Sequence, residues 1–191
     1  MPPKARITKE MVIEAGLGIV RREGQENLNV RRIATELGCS TQPVMYHFKT
    51  MDELKAEIYD VADGLHTEYI VSGYEGIENP MLSIGLNYIR FAEKEKHLFR
   101  FLFQSDKFRN IGFREMLENE ETEFLIKPLA EQSGFSPEQA KEVFETLFIC
   151  VHGFAGLLAN NSMEYNEEYS ADMLKNIFMS TVGFMLRGEE K

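Results

Sequence analysis

Tryptophan is absent from the 191 residues, cysteine occurs twice and proline six times. Two cysteines, Cys39 and Cys150, exclude a disulfide scaffold and a four-cysteine zinc site. Long apolar runs are also scarce. The longest charge-free stretch, Thr146 to Met163, has 18 residues but contains His152, two glycines and Asn160-Asn161. Its apolar part ends at Ala159, which suits a buried helix better than a membrane span. Met1 to Glu10 is polar and has no apolar core, so no secretory leader is expected. These absences together predict a cytoplasmic protein that does not enter a membrane.

Motifs for catalysis are missing too. There is no phosphate-cradling loop, no nucleophile elbow and no HExxH. The Glu-x-x-His motifs that build a two-metal carboxylate site do not occur, and the four histidines are scattered. Glu93 with His97, and Glu164 with Glu168, share helix faces at i, i+4, as solvated helices commonly do. Cys39 and Cys150 read as small apolar fillers. Neither an enzyme nor a metal or cofactor site is expected.

Basic charge is in short supply, and its placement is informative. The chain has 21 Lys+Arg against 31 Asp+Glu, a net charge of −10. Residues 1–50 nevertheless carry 8 basic and 5 acidic side chains, a net +3, against 13 and 26 in the remainder, a net −13. A basic head on an acidic body is the asymmetry expected where only the head meets a polyanion.

Helical periodicity runs through nearly all of the chain, and no convincing strand alternation is present. Thr8 is placed to cap a helix through about Arg22, with Gly24 as its stop. Asn29 is placed to cap a short helix whose Val30, Ile33, Ala34 and Leu37 form one stripe at i, i+3, i+4, i+7, ended by Gly38. Ser40 is placed to cap a third helix over Thr41–His47, with Pro43 in its first turn. A longer helix follows over about 51–72, with a stripe of Leu54, Ile58, Val61 and Leu65. Further helices are expected over 80–95, 97–104, 113–131, 137–160 and 167–187. Ser136, Pro137 and Gln139 give a full start signal for the helix at 137. The expected fold is all-α with about nine helices: a three-helix head over residues 1–50 and a helical body over 51–191.

Residues 29–48, NVRRIATELGCSTQPVMYHF, read as two short helices joined by a tight turn. A seven-residue helix is marginal alone and persists by docking one face on neighbours while leaving the other free. That is the logic of a helix-turn-helix, in which the first helix braces on the DNA backbone and the second enters the major groove. Asn29 and Ser40 put helix N-termini near where phosphates would run. Arg31 and Arg32 lie in a first helical turn, where the dipole disfavours cations and an outside anion would relieve them.

The stretch from Thr8 to Leu54 resembles the DNA-binding domain of the tetracycline-repressor (TetR) family of bacterial transcription regulators. The matching pieces are Ala15, Gly24, Val30, Ile33-Ala34, Leu37-Gly38, Ser40, His47-Phe48 and Asp52-Glu53-Leu54. The resemblance implies base reading from the start of the third helix, by Thr41, Gln42, Pro43 and Tyr46. Gln42 has the chemistry for adenine, while Thr41 and Pro43 suit a thymine methyl. Phosphates would fall to Tyr46, His47, Lys49 and Thr50, with Arg31, Arg32, Lys4 and Arg6. The family usually carries a tyrosine where this chain has Met45 and a lysine where it has Met51; Tyr46, Lys49 and Thr50 are the residues expected to take over. Met51 also leaves room for a different reading, an all-α ligand-binding or interaction module with a relic head.

Both of the last two helices are apolar over wide faces. One carries Phe144, Leu147, Phe148, Val151, Ala155 and Leu158, widened by Val143, Cys150 and Phe154. The other carries Met173, Leu174, Ile177, Phe178, Thr181, Phe184 and Met185. Such helices need a second partner, and small Gly153, Ala155 and Gly156 allow close approach. Pairing them across a two-fold axis makes a four-helix bundle and a homodimer, which the TetR resemblance also implies. VHGFAGLL, Val151 to Leu158, is similar to the motif of one TetR C-terminal subgroup in which a tryptophan precedes His-Gly. HLFRFLF, His97 to Phe103, is similar to that subgroup as well. The resemblance implies an effector pocket among the middle helices and a double-stranded DNA operator. The residues suggest a largely apolar effector, with His66, Phe99, Phe103, Met116 and His152 as candidate contacts.

Overall fold

The computed structural model describes residues 7–104 and 120–188. Among them are nine α-helices: α1 Lys9–Glu23, α2 Val30–Glu36, α3 Thr41–His47, α4 Met51–Val71, α5 Pro80–Lys94, α6 Lys96–Phe103, α7 Glu120–Ser133, α8 Pro137–Ala159 and α9 Glu167–Gly188. A single 3-10 turn, Gln25–Asn27, separates α1 from α2. Of the helix expected over 113–131, the first seven residues lie outside the described residues, and α7 runs to Ser133.

Local chemistry sets most boundaries. The Thr8 side chain accepts from the Met11 amide at 3.2 Å, and Asn29 accepts from that of Arg32 at 3.0 Å. Ser136 and Gln139 cap each other reciprocally at the start of α8. Gly24 stops α1 with φ of 88°, a conformation costly for any residue with a Cβ. One expected cap fails: Ser40 holds the N-cap position of α3, but its side chain bonds no backbone amide there. Instead, the turn is closed by main-chain bonds, from the Cys39 amide to the Ala34 carbonyl at 2.9 Å and from Gly38 to Thr35 at 3.2 Å.

The long helix α4 corrects the sequence reading. Leu54 and Ile58 are buried as expected, but the stripe continues through Ala62, His66 and Ile70, while Val61 and Leu65 are 42% and 39% exposed. Steps of four residues drift about 40° each around a helix, so the buried stripe winds around α4. It has to, because α4 packs on α1 of the head and on α5 and α6 of the body. One apolar cluster therefore extends from Val12 through Leu54 and Ile58 to Leu86, Phe99 and Leu158. A second, around Leu129, Phe135, Val143 and Phe144, joins α7 to α8. Asn87 of α5 donates to the carbonyls of Ile70 at 3.3 Å and Gly73 at 2.9 Å, which satisfies the end of α4 and fixes its angle to α5. Although α8 is long and apolar enough to cross a membrane, its Val143, Leu147, Val151, Ala155 and Leu158 are buried in the protein.

Candidate functional site

Helix α3 buries one side chain, Val44, against the head core, with Phe48 buried just beyond its end. Thr41, Gln42, Met45 and Tyr46 are exposed along one continuous face, and Tyr46 is 79% exposed. Pro43 is half-buried. A short helix braced by one apolar contact and turned polar-side-out has the shape required of a groove-reading element.

The surrounding polar residues divide into free and committed ones. Arg31 is exposed, and no carboxylate among the described residues pairs with it. Arg32, expected at a phosphate, is half-exposed and paired with carboxylates of the head. Its Nε donates to Glu23 Oε2 at 3.2 Å and its Nη2 to Glu23 Oε1 at 2.5 Å, with Glu36 3.6 Å away. The bonded guanidinium holds the Glu23 carboxyl below its ordinary pKa. The anion that relieves a cation in the first turn of α2 is thus supplied by the chain itself, from the end of α1. Asn29 is occupied as the α2 cap, and its amide also reaches the Asn27 carbonyl at 3.2 Å.

Likewise, His47 is tied to the main chain. Its Nε2 lies 2.9 Å from the Ile7 carbonyl, which pins the start of the described chain against α3. Tyr46 stacks edge-on to the His47 ring at 5.3 Å. Thr50 caps α4 by accepting from the Glu53 amide at 3.1 Å, and Glu53 accepts from the Lys49 amide at 2.8 Å. That leaves the Lys49 ammonium exposed beside α3. Lys4 and Arg6 lie outside the described residues.

A second feature lies in the body. A cavity of about 780 Å³ opens between α4, α5, α8 and α9, with Phe103 of α6 and Leu125 of α7 also on its wall. Its lining is mostly apolar, including Ile84, Leu147, Val151, Leu174 and Phe178. His66 of α4 is buried on this wall, edge-on to Tyr88, Phe91 and Phe103, and its Nε2 has no hydrogen-bond partner among the described residues. Burial pushes its pKa down to about 4, so the ring is neutral at pH 7.

Of the five residues expected to contact a ligand, His66 and Phe103 line the cavity. Phe99 and His152 do not. They stand behind the wall, with the Phe99 ring 4.9 Å from Phe103 and His152 Nδ1 2.8 Å from the Tyr88 hydroxyl. His152 is therefore a satisfied core histidine, its pKa lowered by burial. Met116 lies outside the described residues. Tyr88, which the sequence reading passed over, is the polar group that joins this support to the cavity; burial drives its pKa well up and keeps it protonated. A tyrosine on the most apolar stretch of α5 was the available signal. Among the described residues, no group of three His, Cys, Asp or Glu side chains could hold a metal ion.

No protein-family model matches the sequence, and no curated protein matches it either. Solved structures do. A TetR-like transcriptional regulator from Rhodococcus sp. RHA1 superposes with a TM-score of 0.65 over 96% of this chain and 98% of its own, at 14% identity. This chain has the TetR fold. A second Rhodococcus regulator matches this TetR-fold chain at TM-score 0.63 and 19% identity, covering 95% of this chain and 97% of its own. A TetR variant from Acinetobacter baumannii, solved in complex with minocycline, matches at 0.61 and 19%, with the same coverages.

In this TetR-fold chain part of the apolar face of α9 is uncovered. Of the expected stripe only Leu174 is fully buried, and Phe184 is 72% exposed. Met179 and Leu186 of α9, and Ile149 and Leu157 of α8, are also exposed. A Cβ added at Gly153, Gly156 or Gly183 would meet nothing, so these glycines border open space beside the exposed apolar side chains.

Proposed function

We propose that the protein is a ligand-responsive, sequence-specific transcription regulator, a repressor that binds a palindromic operator as a homodimer and is released by a small-molecule effector. The observation that carries this reading is the outward polar face of α3, Thr41, Gln42 and Tyr46, on a helix whose fully buried side chain is Val44. In this reading residues 1–50 are the DNA-binding domain and 51–191 the effector-binding and dimerisation domain. Thr41, Gln42, Pro43 and Tyr46 read bases, while Lys49, Arg31 and the Thr50 hydroxyl contact phosphates beside the N-terminal Lys4 and Arg6. Arg32, Asn29 and His47 act one step back, holding α2, α3 and the N-terminal arm in position.

The exposed apolar faces of α8 and α9 form the homodimer interface. This closes a four-helix bundle and sets two α3 helices about 34–36 Å apart, one turn of duplex. The cavity holds the effector, and a regulator of this kind works in the cytoplasm. Support for the reading comes from three sources: the basic head, the two regulators of like fold, and the minocycline complex of a third structure of that fold.

The test is binding of the purified chain to DNA upstream of its own gene at several salt concentrations. A discrete site with a steep negative salt slope is expected. Equal, weak binding to every duplex would count against the proposal.

A further inference from the structure

Two methionines mark where the head of this chain departs from the TetR pattern, and the structure treats them differently. Met51 is half-buried and packs on the apolar cluster that runs through the head. Met45 is 39% exposed on α3. Among the described residues of the head, Met45 and Tyr46 are the large apolar side chains left exposed. Tyr46 carries a hydroxyl that suits a phosphate. Met45 carries only a thioether, which has no proton to donate and accepts weakly, so it has nothing to offer a phosphate. Thr41 and Gln42 precede it by four and three residues and are its neighbours on the helix surface. A helical side chain covers the turn before its own, which sets Met45 over the first turn of α3 beside those two. The buried Val44 next to it fixes the backbone there.

We propose that Met45 is a specificity-determining residue that reads the C5-methyl group of a pyrimidine in the major groove. The inference rests on the operator-binding reading above and assigns one contact within it. Every base pair presents hydrogen-bonding atoms on the floor of that groove, and thymine alone among the ordinary bases adds an apolar group, its methyl. A 5-methylcytosine presents the same group at the same place. The flexible, unbranched thioether of Met45 matches a methyl in chemistry and can adjust its shape to one. Contact between the two removes apolar surface of both from water. Set against a purine edge, the same side chain would strip a donor or acceptor of water without replacing the bond.

The probe is the duplex that the purified full chain enriches from a random pool. Each of its thymines is replaced singly by uracil, which removes the methyl and nothing else. At one position in each half-site the replacement is expected to weaken binding about fourfold, the worth of one buried methyl. In Met45→Ala that difference should vanish at that position and persist at others, while Met45→Leu should retain it. Circular dichroism and the melting temperature are expected to stay at parent values, because the side chain is exposed. A second series puts a cytosine–guanine pair at the same position, with and without the C5-methyl. Tighter parent binding to the methylated cytosine supports reading of the methyl on either base; a gain with thymine alone supports thymine as its one source. The proposal is overturned by uracil losses equal in the parent and Met45→Ala at every position, or by Met45→Ala weakening all duplexes, random ones included, by one factor. A chain that enriches a duplex without any Met45-dependent methyl effect loses only this contact; one that enriches no duplex loses the regulator reading with it.

Discussion

Arg21 in α1 and Glu95 at the junction of α5 and α6 form a two-pronged ion pair. The Arg21 Nε donates to Glu95 Oε2 at 2.8 Å, and Nη2 engages Oε1. The bonded carboxylate raises the Arg21 pKa further. This pair joins the head to the helix whose far end, Phe103, lines the cavity. Helix α6 thus spans the distance between the cavity and α1, against which α3 packs, and the Tyr59 hydroxyl adds a bond to the Leu102 carbonyl at 3.3 Å.

If that pair carries the signal, Arg21→Met should change coupling more than stability. Arg21 is more than half exposed, so the loss in unfolding free energy should be no more than about 1 kcal/mol. Operator affinity without effector should change little, while the fold-release produced by a saturating effector should shrink. Operator titrations with and without effector, on Arg21→Met, Glu95→Gln and the double variant, measure the coupling. Equal effector response in all four proteins would refute the link.

The α3 face gives the most direct prediction. Gln42→Ala and Tyr46→Ala remove exposed side chains and should leave the melting temperature within a degree or two. Each should lower operator affinity by about 1–3 kcal/mol where a base contact is lost. Arg32→Ala should behave differently: it breaks the bonds to Glu23 and should reduce stability as well as binding. Chemical denaturation beside anisotropy titrations separates the two patterns.

Dimerisation is checked at its most exposed apolar side chain. Phe184→Glu, and independently Leu157→Glu, put a charge into the proposed interface without disturbing the buried side of α8 or α9. Light scattering on a sizing column should show a dimer for the parent and a monomer for each variant, and operator affinity should fall with the loss of the second α3. A variant that remains dimeric would place the interface elsewhere.

His66 makes stability depend on pH. Its pKa is lowered to about 4 in the folded protein, so between the ordinary value of 6.5 and 4 the unfolded chain holds a proton that the folded chain does not. Stability is therefore complete above pH 6.5 and falls as the pH drops toward 4, by up to about 3 kcal/mol. His152, lowered by burial as well, adds in the same direction. Denaturant midpoints at pH 7.5 and pH 5 should differ in the parent, and His66→Phe should narrow the difference.

How much of this could be read in advance differs from one feature to the next. Thr8, Asn29 and the Ser136–Gln139 pair were legible because a cap joins a side chain to an amide three residues away. The same holds for Gly24 and for the single apolar stripe of α2. The α3 face was equally readable, since a seven-residue helix with one deep apolar position has few ways to dock. These short-range rules gave the all-α class, most helix limits and the DNA-facing candidates.

Features set by distant neighbours were not legible in that way. No spacing rule reveals that α4 must turn its stripe from α1 toward α5 and α6, so Val61 and Leu65 were placed inward and Ala62 was missed. Arg32 resembled a free cation until Glu23 was beside it. Phe99 and His152 share the chemistry of cavity residues, yet packing put Tyr88 and Phe103 in front of them. Hydrogen-bond geometry within one turn depends on nearby residues alone. Which face of a helix is covered, and which charge is already neutralised, depends on segments that meet only after the chain has packed.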